Sequence, residues 1–167
     1  RALELLSPRA DDVALDLFCG LGNFSLPLAR RVARVTGVEG DAGLVARARE
    51  NALQNGIDNG EFHAADLFAN VSHWPWAGRD YDLVLLDPPR AGAREVLPVL
   101  VASRPRRIVY ISCHAATLAR DAGILVQQHG YNLVAAGIMD MFPHTSHVES
   151  IALFEPAGGR RVAGGRA

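Results

Sequence analysis

The sequence predicts a single α/β domain: a doubly wound, mostly parallel sheet of five βα units with a C-terminal antiparallel hairpin. Short apolar runs alternate with longer segments of helical periodicity, which is typical of repeated βα units. The last two apolar runs lie too close together for a helical crossover, so we expect them to pair antiparallel. With 167 residues, 49% of them hydrophobic and 21% charged, the chain can bury the core of one globular domain.

The strands are predicted from β-rich apolar runs that turn residues interrupt. The clearest, residues 81–86, is continuous and apolar, as expected in the middle of a parallel sheet. It must end at Pro88 and Pro89, which lack the N–H groups that a strand needs. Residues 131–138 and 148–154 form the expected hairpin. The other predicted strands are residues 13–18, 35–39, 61–65 and 107–112.

The helices are predicted from apolar residues that repeat at the helical period between these strands. Gly56 and Gly130 follow two of them and are suitable residues to end a helix. The predicted helices are residues 24–32, 44–55, 93–102 and 115–128. We expect the domain to span residues 1–156, and residues 157–167, rich in glycine and arginine, to be a disordered tail.

Charge and composition limit the classes of function. The formal net charge is −1, whereas a domain that bound nucleic acid alone would carry a basic excess. No run is long enough to span a membrane and no signal peptide is visible, so we expect a cytoplasmic protein that has no membrane partner. Cys19 and Cys113 lie too far apart to suggest a disulfide framework, and His144 and His147 lack further ligands, so we predict no metal site.

A glycine-bearing segment, D-L-F-C-G-L-G-N-F-S, joins the first strand to the first helix. Gly20 and Gly22 can turn tightly and let a ligand approach the backbone. Ser25 stands where a dinucleotide fingerprint has its third glycine, and no Walker lysine follows. Glu39 ends the second strand, where a carboxylate can accept hydrogen bonds from ribose hydroxyls. These features favour a cofactor that has a ribose but no pyrophosphate.

This segment resembles motif I of the class I methyltransferases, which implies their Rossmann-like fold and S-adenosylmethionine as the cofactor. Asp66, after the third strand, matches the position that faces the adenine in that family. The resemblance implies these cofactor-binding residues: Asp16, Phe18, Gly20, Gly22, Asn23, Phe24, Glu39, Asp66 and Asp87.

Two strand ends carry residues suited to chemistry. Asp87-Pro88-Pro89 follows the fourth strand, as in methyltransferases that modify exocyclic amines, but Arg90 stands where those enzymes have an aromatic residue. That departure counts against amine methylation. Cys113 follows the fifth strand, with a predicted helix behind it, and a helix N-terminus stabilises a nucleophilic thiolate.

Three segments together resemble one family, the RNA uracil-C5 methyltransferases, and among them the bacterial enzymes that modify 23S ribosomal RNA. They are L-L-D-P-P-R-A-G, Y-I-S-C-H-A-A-T-L-A-R-D and D-M-F-P-H-T-S-H-V-E-S. The resemblance implies formation of 5-methyluridine, with Cys113 adding to carbon 6 of uracil, Glu149 removing a proton and Asp87 near the target base. His114 and Ala115 depart from the family, which has Asn-Pro there.

The family usually carries an N-terminal oligonucleotide-binding barrel and a central RNA-binding domain, and neither is present in this chain. The chain begins at Arg1, so we expect a fragment that binds 23S ribosomal RNA with help from missing N-terminal domains. Two alternatives stay open: a methyltransferase that acts on an exocyclic base amine through Asp87, with Cys113 idle, and a non-catalytic domain that binds cofactor or RNA.

Overall fold

The computed structural model describes residues 1–140 and 148–158. Its strands are β1 (Val13–Leu17), β2 (Arg34–Glu39), β3 (Gly60–Ala64), β4 (Leu83–Leu86), β5 (Arg107–Ser112), β6 (Tyr131–Met139) and β7 (Glu149–Pro156). Its helices are α1 (Ala2–Leu6), α2 (Ser25–Ala29), α3 (Ala42–Gln54), α4 (Leu97–Ala102) and α5 (Ala115–Gln128). The strands form one sheet in the order β3-β2-β1-β4-β5-β7-β6. Among these seven strands β7 alone runs in the opposite direction, which confirms the predicted mostly parallel sheet and its hairpin.

Three features of the fold differ from the prediction or go beyond it. The sequence predicts that the last two strands pair but not which of them adjoins β5; the last strand, β7, does, and it lies between β5 and β6. The prediction of five βα units was wrong, since residues 65–82 make turns and no α-helix between β3 and β4. Those turns bury Trp76 and Tyr81, and the Tyr81 hydroxyl donates a hydrogen bond to the Trp76 carbonyl at 2.9 Å. The short helix α1 was not predicted.

The core consists of two apolar layers, one on each face of the sheet. Successive residues of a strand point to opposite faces, so neighbours in β1 and β4 contribute to different layers. One layer contains Leu15, Leu17, Val84, Leu86, Ile108, Tyr110, Ala152 and Phe154, among others. The other contains Ala14, Leu83, Leu85, Val109, Ile111, Ile151 and Leu153, with α1 and α2 packed over it. The sheet is thus covered on both faces, and its carboxyl edge is left for ligands.

Gly37, in the middle of β2, is a position where we expect a substitution to destabilise the protein. A Cβ atom there would lie 2.7 Å from the Phe62 ring and 3.0 Å from the Cys19 sulfur. We expect Gly37→Ala to lower the free energy of unfolding by about 1–3 kcal/mol, because both neighbours are packed in the core. Urea denaturation measures this change. As a control, Gly78→Ala adds a methyl group with no atom within 4 Å and should leave stability nearly unchanged, whereas equal values for the two variants would contradict the packing argument.

Two sequence predictions fall on residues that the structure does not describe. His144 and His147, at which no metal site is predicted, lie within residues 141–147, and most of the predicted tail lies within residues 159–167. Both predictions therefore lie outside the described residues. Within the described part, no helix has both the length and the apolar character that crossing a bilayer requires.

Candidate active site

The turn after β1 is held against the end of β2 by Glu39. Its Oε2 atom accepts a hydrogen bond from the Gly20 backbone N–H at 3.1 Å, and its Oε1 atom accepts one from the Asp41 N–H at 3.1 Å. Gly20 and Gly22 have φ angles of 54° and 87°, which glycine adopts without strain. The carboxylate predicted to bind a ribose therefore lies beside the glycine turn, as the sequence pattern requires.

Asp16 is a fully buried carboxyl group in β1. Its Oδ2 atom accepts a hydrogen bond from the Ser25 hydroxyl at 2.5 Å, whereas Oδ1 is buried without a partner among the described residues. Burial and, to a lesser extent, the charge of Asp87 outweigh the Ser25 hydrogen bond and raise the pKa of Asp16 to about 7. A buried oxygen without a partner fits a positively charged ligand group, which would compensate for the water that burial removed.

A pocket of about 380 Å³ opens beside these residues at the carboxyl edge of the sheet, within the size range of small-molecule sites. Two aromatic rings, Phe18 and Phe68, contact each other in its wall with centroids 5.8 Å apart. The Asp66 Oδ1 atom accepts a hydrogen bond from the Phe68 N–H at 2.9 Å and so fixes the loop that carries this ring. The described lining residues are Phe18, Glu39, Gly40, Asp66, Leu67, Phe68, Asp87, Pro88 and Pro89.

The predicted cofactor-binding residues divide into two groups. Phe18, Glu39, Asp66 and Asp87 line the pocket, while Asp16, Gly20, Gly22, Asn23 and Phe24 are not among its described lining residues. Asn23 is exposed, and Phe24 packs against the core layer beneath α2. Leu67 and Phe68 also line the pocket but were not predicted, although an apolar pair directly after a strand-end aspartate is a usable signal.

The candidate catalytic residues lie at the ends of three neighbouring strands. Asp87 directly follows β4, and its backbone N–H donates to the Leu17 carbonyl at 3.3 Å. Cys113 directly follows β5, and Glu149 is the first residue of β7. The β5–β7 register pairs Ser112 with Ser150, so Cys113, in the bend after β5, and Glu149, at the start of β7, both directly adjoin this last pair.

The alternation of side chains assigns these residues to one face of the sheet. Glu149 lies two residues from Ile151, and Cys113 lies two residues from Ile111; both isoleucines belong to the layer under α1 and α2. Asp87 stands in the same relation to Leu85 of that layer. Although the Asp87 side chain is open to solvent, partial burial of its carboxyl group, and then the negative charge of Glu149, raise its pKa. The structure thus brings the two carboxyl groups within electrostatic range.

The loop that carries Cys113 is fixed by hydroxyl groups. The Ser112 hydroxyl donates to the His114 carbonyl at 3.1 Å and accepts from the His114 N–H at 3.0 Å, so it closes a tight turn around the cysteine. The Thr117 hydroxyl donates to the same carbonyl at 3.0 Å. These hydrogen bonds fix the loop, although this chain has Ala115 where the family has a proline.

The two cysteines differ in environment. Cys113 is half-buried and carries a free thiol. Cys19 is buried, and desolvation followed by the charges of Asp16 and Glu39 raises the pKa of its thiol well above the usual range. A thiol that does not ionise is a poor nucleophile, so of these two cysteines Cys113 is the candidate nucleophile.

Comparison with known proteins agrees with this geometry. Residues 8–145 match the family described as "Methyltransferase domain". The chain is 63% identical over 92% of its length to a protein of Stenotrophomonas maltophilia named "23S rRNA (uracil(1939)-C(5))-methyltransferase RlmD", and 61% identical over 93% to the protein of that name from Alkalilimnicola ehrlichii. It spans 35% of the length of each of these curated relatives.

Solved structures show the same fold. The Pyrococcus abyssi tRNA (uracil-54, C5)-methyltransferase, determined in complex with S-adenosyl-L-homocysteine, superposes with a TM-score of 0.73 at 32% identity, covering 92% of this chain and 38% of that one. TrmN from Thermus thermophilus superposes with a TM-score of 0.72 at 23% identity, covering 93% of this chain and 47% of that one, which shows the fold alone. The chain therefore belongs to the methyltransferase-domain family, and within that family it is similar to the RNA uracil-C5 methyltransferases.

Proposed function

We propose that the pocket at the carboxyl edge binds S-adenosylmethionine, with residues 1–156 as the methyltransferase domain. When bound, this cofactor supplies an electrophilic methyl group on a cationic sulfonium. Glu39 would accept hydrogen bonds from the ribose hydroxyls, and Phe18 and Phe68 would contact the adenine. The unpartnered Asp16 oxygen, with the charge of Asp87 nearby, supports a ligand that carries positive charge.

This assignment gives cofactor affinity a defined pH dependence. Asp16 holds a proton up to about pH 7, and a cationic ligand favours its deprotonated form, so binding releases a proton. We expect the Kd for S-adenosylmethionine to fall between about pH 6 and pH 8, by at most about tenfold per pH unit. Isothermal titration calorimetry in buffers of different ionisation enthalpy measures both the Kd and the released proton. Asp16→Asn should remove the dependence on this group, and a pH-independent Kd in the wild-type protein would contradict the assignment.

We further propose that the protein methylates carbon 5 of a uridine in RNA, in the 23S ribosomal RNA that its curated relatives are named for. The observation that supports this proposal is the β5–β7 register: the half-buried Cys113 and Glu149 adjoin its last pair, Ser112 with Ser150, at the same edge of the sheet as the pocket. A thiol nucleophile near a general base is what carbon-5 methylation needs, whereas methylation of an exocyclic amine needs neither.

Cys113 and Glu149 act in successive steps of the proposed reaction. The Cys113 thiolate adds to carbon 6 of uracil, and the electron pair moves to make carbon 5 a nucleophilic enolate carbon. Carbon 5 forms a bond to the methyl group as the bond from methyl to sulfonium breaks. Glu149 then takes the remaining proton from carbon 5, and β-elimination restores the thiolate and the aromatic ring. Covalent catalysis thus replaces one difficult step by easier ones.

The test is formation of 5-methyluridine by the intact protein. Transcripts of 23S ribosomal RNA and of transfer RNA are incubated with S-adenosylmethionine, and the methylated nucleoside is identified and mapped by mass spectrometry. The proposal expects 5-methyluridine in the 23S transcript. A methylated exocyclic amine would favour the alternative that leaves Cys113 idle. If neither RNA is methylated, the proposed RNA substrate is wrong.

A further inference from the structure

Asp121 is a buried carboxylate in α5 that the proposed chemistry does not use. Its Oδ2 atom accepts hydrogen bonds from the Tyr110 hydroxyl at 2.6 Å and from the Ala93 N–H at 2.8 Å. Its Oδ1 atom accepts one from the Arg120 guanidinium at 2.8 Å, and that guanidinium also donates to the Ala91 carbonyl at 2.9 Å. One carboxylate therefore holds β5, α5 and the loop after β4 together.

The two segments that it joins each carry a candidate catalytic residue. The loop at Ala91 and Ala93 begins at Asp87, four residues earlier in the chain. Helix α5 begins two residues after Cys113, and Tyr110 lies three residues before that cysteine. The distance between Asp87 and Cys113 thus depends on the hydrogen bonds by which Asp121 joins these two segments.

Gly92 shows how closely these segments approach. Its φ angle is 84°, and a Cβ atom there would lie 2.5 Å from the Arg120 Nη2 atom and 2.6 Å from the Asp121 Oδ2 atom. Only glycine fits between the carboxylate and the guanidinium. The glycine of L-L-D-P-P-R-A-G is therefore explained by the contact with Asp121 rather than by contact with a ligand.

We infer that Asp121 is a positioning residue, which holds the Asp87 loop and the Cys113 loop in register for the reaction. The inference rests on the proposed function. Stability alone is a weak reason for such a group, because a buried ion pair is often replaceable by apolar side chains without loss. The donors converge on both oxygens of this carboxylate, so its orientation is fixed.

Asparagine has the same shape as Asp121 but cannot accept all of its hydrogen bonds. The carboxylate accepts hydrogen bonds on both oxygens, whereas an amide presents an NH2 group on one side. In either orientation of the amide, a donor of the network faces another donor. If the amide NH2 group faces Tyr110, that hydroxyl can turn and accept from it, but the Ala93 N–H on the same side can only donate and loses its acceptor.

The experiment compares Asp121→Asn with Asp12→Asn in the intact protein. Asp12 is a matched control: it is also buried and binds the Arg106 guanidinium at 2.5 Å, but it precedes β1 at the opposite edge of the sheet. We expect Asp121→Asn to lower kcat by about 10–100-fold with little change in KM for S-adenosylmethionine. Asp12→Asn should leave kcat within about twofold of the wild-type value.

A second readout does not depend on the reaction. Alkylation of the folded protein by iodoacetamide, followed by mass spectrometry of the peptide that contains Cys113, reports on the accessibility of this half-buried thiol. Asp121→Asn should speed this alkylation about threefold or more by loosening the loop, and Asp12→Asn should not. Tyr110→Phe, which removes one of the donors to the carboxylate, should give a smaller effect and replaces Asp121→Asn if that variant does not fold.

The outcomes separate the two proposals. Equal alkylation rates in Asp121→Asn and the wild-type protein, or equal effects of the two asparagine variants on alkylation or kcat, would overturn the positioning role. If the wild-type protein forms no 5-methyluridine, the proposed function fails, while the alkylation rates still decide whether Asp121 holds the Cys113 loop.

Discussion

Replacing Cys113 by alanine is expected to lower the rate of 5-methyluridine formation by more than about 10³-fold, because carbon 5 of uracil is a weak nucleophile until a thiolate has added to carbon 6. The wild-type protein should also form a stable adduct with RNA that contains 5-fluorouridine, since Glu149 cannot abstract fluorine. Cys113→Ala should form none. Mass spectrometry of the RNA measures the first effect, and a denaturing gel measures the second.

Cys19→Ala is the matched control for this experiment. It removes the other thiol of the chain, which is buried, and should leave both methylation and adduct formation in place. Methylation that survives Cys113→Ala, together with no adduct from the wild-type protein, would refute covalent catalysis and favour transfer to an exocyclic amine.

The second large effect is expected at Glu149. Glu149→Gln should lower turnover by about 10²–10⁴-fold, the usual contribution of a positioned general base. Addition of Cys113 and methyl transfer precede the proton removal, so the covalent protein–RNA species should accumulate on ordinary uridine RNA. Single-turnover assays resolved on denaturing gels distinguish this block after methyl transfer from a failure to bind RNA.

Glu155→Gln provides the comparison within the same strand. Glu155 is partly exposed at the far end of β7, where it pairs with Arg107 at 2.9 Å, and its loss should leave turnover nearly unchanged. Wild-type turnover in Glu149→Gln, or equal losses in the two variants, would exclude Glu149 as the base.

Much of the fold could be predicted because each buried strand is a local signal. The run at Leu83–Leu86 is apolar on both faces, and it lies between β1 and β5 as a central strand should. The same apolar runs predicted that Asp16, Glu39 and Asp87 lie at or next to the ends of strands. The full burial of Trp76 could not be predicted, because the packing of these turns depends on residues distant in sequence.

The neighbouring positions of Cys113 and Glu149 could not be predicted. They depend on β7 lying between β5 and β6, and the sequence indicates only that β6 and β7 pair. Had β6 been the neighbour of β5, Glu149 would lie one strand further from the cysteine. Asp121 was missed for a similar reason: an aspartate within a helix is typical of a solvated face, and nothing local shows its distant donors.

The insertion of β7 has a consequence for the order in which the protein assembles. Glu149 can reach Cys113 only after a strand made late in synthesis has entered between two earlier ones. Pairing of β5 with β7 joins segments that are distant in sequence, and such long-range pairing is slow. The residues that line the pocket, within 18–89, are therefore synthesised well before Glu149, and a product truncated before residue 149 would lack the β7 side chains of both core layers and leave the β5 edge open to aggregation.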